Sequence, residues 1–243
     1  MFPILLYNNV MREIIFKIDD KNSGLMIRDF LRNFGVSSAL LTKLKQDENG
    51  IKLNGKFAKA IEVLKSGDNL TINIKNSGKM PEKFECENVK VAYNDEDILV
   101  LNKPPLMPVH ESRNHRGDTL ANVAACYMES DCAFRAVYRL DRDTSGLVLI
   151  AKNELAASKL AGKIKKDYYA VVSGKFEGRG TIDLPIRRVQ ESIIERGVFD
   201  DGERAITHYE AIKTDGENTL LKLSLETGRT HQIRVHFSHL GAP

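Results

Sequence analysis

Arg139-Leu140-Asp141-Arg142-Asp143-Thr144-Ser145-Gly146-Leu147-Val148-Leu149-Ile150-Ala151 divides into two halves of opposite character. Asp141 to Gly146 is a polar, turn-forming loop. Leu147 to Ala151 is an unbroken apolar run of buried-strand length. A buried strand holds the loop that precedes it, and reactive groups tend to sit on loops held by rigid scaffolds. The loop concentrates Arg139, Asp141, Arg142 and Asp143. A carboxylate beside arginines is favoured in its ionised form, which suits a nucleophile or an electrostatic stabiliser. Asp, Thr, Ser and Gly are also ordinary turn residues, so the segment taken alone fits a plain turn as well.

Downstream, Lys165-Lys166-Asp167-Tyr168-Tyr169-Ala170-Val171-Val172-Ser173-Gly174 reads as a strand after a basic helix end. A tyrosine there either stacks on a base or packs in the sheet. A further cluster runs from Thr227 to His239. Thr230 is the expected N-cap of a helix whose Ile233, Phe237 and Leu240 share one face, with Gly241 ending it. Arg234 then falls in the early turns, where anions are favoured. His231, His236 and His239 match no metal-ligand spacing, so no metal is expected and an RNA-facing helix fits better.

Upstream, Ile98 to Leu101 reads as a strand broken by Asn102-Lys103-Pro104-Pro105, and Met107 to His110 as an irregular loop lining a site. His110 and His115 are possible general bases or simply solvated. Nearer the start, Arg12 to Ile18 reads as a strand. Leu25, Ile27, Phe30, Leu31 and Phe34 recur at helical spacing and stop at Gly35. A second helix follows Ser37 or Ser38, with Leu40, Leu41 and Leu44 inward. Asn54-Gly55 signals a hairpin, and Leu70 to Ile74 alternates as a strand. Between Gly24 and Lys65 this unit carries eight basic residues against four acidic. Arg28, Arg32, Lys43 and Lys45 lie on polar helix sides, as phosphate ligands or as a solvated face. Asn76 to Lys83 is linker-like.

The bulk composition excludes little else. Hydrophobic residues at 42% and charged residues at 28% suit a globular chain. No apolar run approaches the roughly 20 residues that span a bilayer. The start, Met1 to Val10, lacks the features of a secretory leader, and Met11 is a second possible initiator. Cys86, Cys126 and Cys132 are odd in number and without metal spacing, which suits a reducing cytoplasm and small core fillers. A net charge of +3 identifies no partner.

Together these pieces resemble the RluA-type pseudouridine synthase family over nearly the whole chain. The segments that carry the likeness, in the family's order, are Val100-Leu101-Asn102-Lys103-Pro104 with Pro108-Val109-His110, then Arg139 to Gly146, then Lys166-Asp167-Tyr168-Tyr169-Ala170, then Thr227 to His236. Residues 12–74 resemble the S-four-like (alpha-L) RNA-binding domain. The resemblance implies an α+β chain: an N-terminal extension (1–11), the RNA-binding domain (12–75), a linker (76–88) and a catalytic domain (89–243) built on a mixed, mainly antiparallel sheet. Tyr138 stands where the family commonly has histidine, and the family normally continues beyond Pro243 with a loop and further strands, so a C-terminally incomplete catalytic domain is expected.

The implied reaction cleaves the N-glycosidic bond of an RNA uridine, turns the base and rejoins it to the sugar through carbon five. By the resemblance Asp141 is the essential carboxylate, Tyr168 stacks on the target base, Arg234 pairs with Asp141, and Arg139 fills the gap left by the extruded nucleotide. Arg142, Arg229, His231 and Gln232 are expected at the RNA, together with Arg28, Arg32, Lys43 and Lys45. No cofactor and no metal are implied. The expected partner is structured RNA, large-subunit ribosomal RNA first and transfer RNA second, for a cytoplasmic monomer. Rival readings are a non-catalytic RNA-binding protein and a carboxylate-dependent glycosidase with Asp143 as second acid.

Overall fold

A computed structural model describes residues 4–8, 11–75, 78–128, 132–190 and 195–243. The chain forms two compact units, Met1–Lys163 and Ile164–Pro243.

The first unit begins with strands β1 (Ile4–Asn8) and β2 (Met11–Lys17). Helix α1 (Ile27–Phe34) follows, starting two residues later than the apolar spacing first appears. It stops at Gly35, whose φ of 106° is open to glycine at little cost. Helix α2 (Ser38–Gln46) is capped by Ser37, whose hydroxyl accepts from the Leu40 N–H at 3.2 Å. Strands β3 (Ile51–Leu53) and β4 (Lys56–Phe57) meet at Asn54 and Gly55, with φ of 51° and 80°, the left-handed pair that a tight hairpin needs. Strand β5 (Asn69–Lys75) completes a sheet of order β1-β2-β5-β3-β4. Ile14, Phe16, Ile72 and Ile74 pack there against Phe30, Leu31, Leu40 and Leu44. Strand β5 is buried on both faces, not the one that its alternation predicts: Thr71 and Asn73 are buried too. The Asn73 carboxamide compensates by donating to the Asn49 carbonyl at 2.6 Å.

The rest of this unit is a second sheet, β6 (Lys90–Asn94), β7 (Ile98–Lys103) and β8 (Gly146–Ala151), in that order. Residues 135–137 flank β8 on its other side, with Val137 N–H donating to the Leu149 carbonyl at 2.8 Å and Ala151 N–H to the Arg135 carbonyl at 2.9 Å. Leu99, Leu101, Val148 and Ile150 form the inner face, covered by the short helix α3 (Leu120–Ala124), which the sequence reading did not foresee. Thr119 and Asn122 cap α3 reciprocally. The apolar run of β8 is not buried throughout, because an antiparallel sheet covered on one side exposes alternate residues; Leu147 is 53% exposed. The linker-like stretch is packed: Met80 is buried, and the Glu82 carbonyl accepts from the Asn122 side chain at 2.9 Å. Helix α4 (Glu154–Leu160) closes the unit and places Leu155 in the N-terminal core. Cys86 and Cys126 are half-buried and Cys132 buried, none of them in a disulfide.

The second unit holds β9 (Asp167–Ser173), β10 (Arg179–Asp183), the hairpin pair β11 (Ile186–Arg188) and β12 (Arg196–Val198), then β13 (Ile206–Thr214) and β14 (Asn218–Leu225). The main sheet runs β10-β13-β14-β9. Helix α5 (Gln232–His239) lays Phe237 on Val172, Ile182, Leu221 and Leu223. Two expectations fail at α5. His231, at φ 57°, is the residue before the helix, not Thr230. Leu240 is 49% exposed, and His236 takes the inward position instead. Every strand pairing among the described residues is antiparallel. No helix among the described residues is long and apolar enough to cross a membrane.

Candidate active site

Asp141 sits half-buried at the start of the loop between the 135–137 segment and β8. Both flanks are fixed. The 135–137 segment is hydrogen-bonded to β8, and the Tyr138 hydroxyl donates to the Leu147 carbonyl at 3.1 Å. Tyr138 thus spans the base of the loop, and burial raises its phenol's pKa. Thr144 N–H donates to the Asp141 carbonyl at 3.2 Å, making the reversal a turn. Gly146 ends the loop at φ 131°, a conformation that L side chains rarely adopt. Arg139 and Arg142 are exposed, and Arg142 pairs with Asp143 at 2.9 Å. Arg139 is near enough to His110 to lower its pKa, after the larger effect of burial.

Lys103 had no role in the sequence reading. It is fully buried, and its ammonium donates to the carbonyls of Pro104 at 3.0 Å, Met107 at 2.7 Å and Arg142 at 2.9 Å. Burial pushes its pKa down to about 8, against the opposing pull of Asp143 and Asp141. The clue was the period of β7: Leu99, Leu101 and Lys103 all point to the buried face.

The second unit holds the other motif residues. Tyr168 is half-buried, on the inward side of β9 with Ala170 and Val172, whereas Tyr169 is 65% exposed on the opposite face. Arg234 is exposed in the first turn of α5. Gln232 is a different matter: it is buried, and its carboxamide is committed to the fold. Its oxygen accepts from Thr227 Oγ1 at 2.8 Å and Arg229 N–H at 2.9 Å; its nitrogen donates to the Ile206 carbonyl at 2.9 Å and Thr207 Oγ1 at 3.1 Å. That set uses both donors and both lone pairs, so Gln232 shapes the loop and has nothing left for RNA. Arg229 is likewise engaged, with Glu203 at 2.6 Å and the Arg204 carbonyl at 3.0 Å. His231 is half-buried. His236 bonds Thr207 Oγ1 at 2.9 Å and the Leu184 carbonyl at 3.0 Å through its two ring nitrogens.

In the N-terminal region Arg28, Arg32, Lys43 and Lys45 are all exposed, as expected of a polar helix face. Lys43 pairs with Glu154, and Arg28 lies 3.4 Å from Asp29.

The likeness to known proteins follows the same segments. The family described as RNA pseudouridylate synthase matches residues 97–239. Over 235 residues the chain is 38% identical to an uncharacterised RNA pseudouridine synthase of Bacillus subtilis, YjbO, covering 90% of this chain and 81% of that protein. It is 36% identical over 202 residues to the ribosomal large subunit pseudouridine synthase D of Pseudomonas aeruginosa, covering 79% of this chain and 68% of that one. Among solved structures, the human RNA pseudouridylate synthase domain containing 1 aligns with a TM-score of 0.53 at 27% identity, over 67% of this chain and 69% of that one. The human domain containing 4 protein shares the fold, with a TM-score of 0.50 at 21% identity over 63% and 65% of the two chains. The chain belongs to the RNA pseudouridylate synthase family. Its reaction is the isomerisation of uridine in RNA to pseudouridine, on a pseudouridine synthase fold of antiparallel sheets with few helices.

Proposed function

We propose that this enzyme modifies specific uridines of structured RNA, with large-subunit ribosomal RNA as the first candidate substrate and transfer RNA the second, and that Asp141 is its essential carboxylate. The observation that carries this reading is the mounting of Asp141: a half-buried acid on a short loop whose two flanks are hydrogen-bonded to each other. Such a group is held in position without losing contact with solvent, as a reacting carboxylate must be. The ribosomal assignment draws on the likeness to relatives named for the large subunit.

The reaction is an isomerisation. The bond from the sugar to N1 breaks, the bond to C5 forms, C5 loses its proton and N1 gains one, so no cofactor or metal is required. A stacked base is out of reach and is flipped out, at a cost of a few kcal/mol. In this reading Arg139 takes the vacated place, Tyr168 offers a ring for the base and Arg234 serves the same chemistry, while Arg142 and His231 meet the RNA. Residues 12–75 form an S-four-like RNA-binding domain, residues 76–88 a linker and residues 89–243 the catalytic domain, and Arg28, Arg32, Lys43 and Lys45 contribute phosphate contacts. The protein works in the cytoplasm as a monomer.

Asp141→Asn tests the carboxylate. Pseudouridine formation, read by a pseudouridine-specific chemical assay, is lost while RNA binding stays; persistent modification removes Asp141 from the mechanism. Mapping pseudouridines in a strain lacking the gene against its parent identifies the substrate.

A further inference from the structure

Arg12 is a charge in an apolar place. On β2 it follows the inward period of Ile14 and Phe16, and its side chain is 8% exposed. A buried guanidinium is costly unless a carboxylate meets it. Asp97, between β6 and β7, supplies that carboxylate and takes both ends of the group: Arg12 Nη2 donates to Oδ2 at 2.9 Å, and Nη1 meets Oδ1. Asp97 also holds the start of helix α4. Its carboxylate accepts from Asn153 Nδ2 at 2.7 Å and its carbonyl from the Lys152 N–H at 2.9 Å. Asn153 in turn caps α4, accepting from the Ala156 N–H at 2.9 Å.

Helix α4 makes further contacts with the N-terminal helices. Leu155, 3% exposed, completes the core formed by α1, α2 and the sheet β1-β2-β5-β3-β4. Ser158 Oγ donates to the Gly35 carbonyl at the end of α1 at 2.7 Å, and the Lys159 ammonium lies 3.5 Å from the centre of the Phe34 ring. Glu154 Oε1 accepts from Lys43 on α2 at 2.5 Å and from Arg135 at 3.4 Å. Arg135 belongs to the segment hydrogen-bonded to β8, the strand entered from the Asp141 loop. Part of the stretch joining the two regions is itself packed, with Met80 buried and the Glu82 carbonyl bonded to Asn122.

We infer that residues 12–75 are docked through α4 onto the β6-β7-β8 sheet as one rigid body, and that this docking selects the RNA. Helices α1 and α2 and the Asp141 loop are thereby held at a fixed separation, so a substrate has to offer its phosphates and its uridine at the matching spacing. Two contacts carried on one body reinforce each other when the RNA spans both, and the gain is lost when it does not. Arg12, Asp97, Glu154 and Leu155 act as positioning residues, through the docking and not through the RNA. The inference rests on residues 12–75 being the RNA-binding domain.

The docking is read first, without RNA, by NMR relaxation of backbone amides in the full chain. Residues 12–75 and the strands β6, β7 and β8 are expected to share one rotational correlation time; two separate times overturn the inference. Selection is read with two RNAs: the full-length RNA whose pseudouridine is missing in the strain lacking the gene, and a short hairpin cut from around that uridine. Arg12→Met with Glu154→Ala and Leu155→Ser removes both ion pairs and the apolar plug. It should raise KM on the long RNA by on the order of tenfold, as a lost second contact does, with kcat on that RNA and both constants on the hairpin unchanged. An unchanged KM on the long RNA, or an equal loss on the two RNAs, overturns the inference. If that variant does not fold, Ser158→Ala with Lys159→Ala decides by the same comparison. Arg32→Ala with Lys45→Ala keeps the two readings apart. One correlation time beside an unaltered salt dependence of RNA affinity overturns the RNA-binding reading, whereas two times beside an altered dependence overturn the docking alone.

Discussion

The Thr207 hydroxyl donates to His236 Nδ1 at 2.9 Å, and this bond sets the protonation of a fully buried imidazole. The same hydroxyl accepts from Gln232 Nε2 at 3.1 Å, so its proton is left for the ring. The other ring nitrogen, facing the Leu184 carbonyl at 3.0 Å, has to carry the hydrogen. The neutral ring thus satisfies both contacts, and burial lowers its pKa from the ordinary 6.5, against the smaller opposing effect of the Leu184 carbonyl.

That depression predicts acid lability. Below about pH 6.5 the unfolded chain takes up a proton at this ring that the folded chain refuses, so stability falls as pH falls. His236→Gln keeps an acceptor and a donor at the two positions without a titrating group. Chemical denaturation at pH 5, 6 and 7 should show a shallower loss for the variant than for wild type.

Gln232→Leu should be among the most damaging single changes in the second unit. It leaves Thr227 Oγ1, the Arg229 N–H, the Ile206 carbonyl and Thr207 Oγ1 each short of a partner. At about 1–3 kcal/mol for each buried group left unsatisfied, a loss of about 3 kcal/mol or more is expected in urea unfolding. RNA affinity of the protein that remains folded should change little, since the carboxamide is turned inward.

Gly146→Ala tests the end of the loop. A Cβ there meets only Leu140 at 3.8 Å, so space is not the obstacle. The obstacle is φ 131°, and strain of this kind costs about 1–3 kcal/mol. A lower melting temperature and a slower chemical step are expected together, because the strain is released by moving the Asp141 loop.

Arg32→Ala with Lys45→Ala removes two exposed charges from the N-terminal helices. If these side chains meet phosphates, the slope of log affinity against log salt should become shallower by roughly 1.4–1.8. The rate at saturating RNA should be unchanged. An unaltered slope would return both residues to a solvated helix face.

Lys103 makes a prediction about the pH dependence of stability. Its pKa is lowered on folding, from 10.5 to about 8, so between those values the unfolded chain holds more protons than the folded one. Wild type should therefore gain stability relative to Lys103→Met as pH rises through this window, measured by paired denaturant titrations.

Local physics made much of the fold legible. The spacing of Ile27, Phe30 and Leu31 required a helix, Gly35 a stop, Ser37 or Ser38 a cap and Asn54-Gly55 a hairpin; each is found there, with Ser37 as the cap. The misreadings share one cause. Leu147 and Leu240 are exposed, while Thr71, Gln232 and His236 are buried, because residue type states a preference for burial and the packed neighbours decide it. Helix α3 was missed because five residues are too few to show a period.

By itself the sequence determined the chemistry available to this protein: an Asp-bearing polar loop on an apolar strand, followed by a tyrosine strand and an arginine helix, in the order of the RNA pseudouridylate synthases. Those features are local, carried by spacing and turn residues within a few positions of one another. Only the tertiary structure decided which polar groups face inward and what they hold. Lys103 and Arg142 are 39 residues apart, as Gln232 and Thr207 are 25. Such pairs form because sheet closure strips water from groups that must then bond to one another, and no short window of sequence contains both partners.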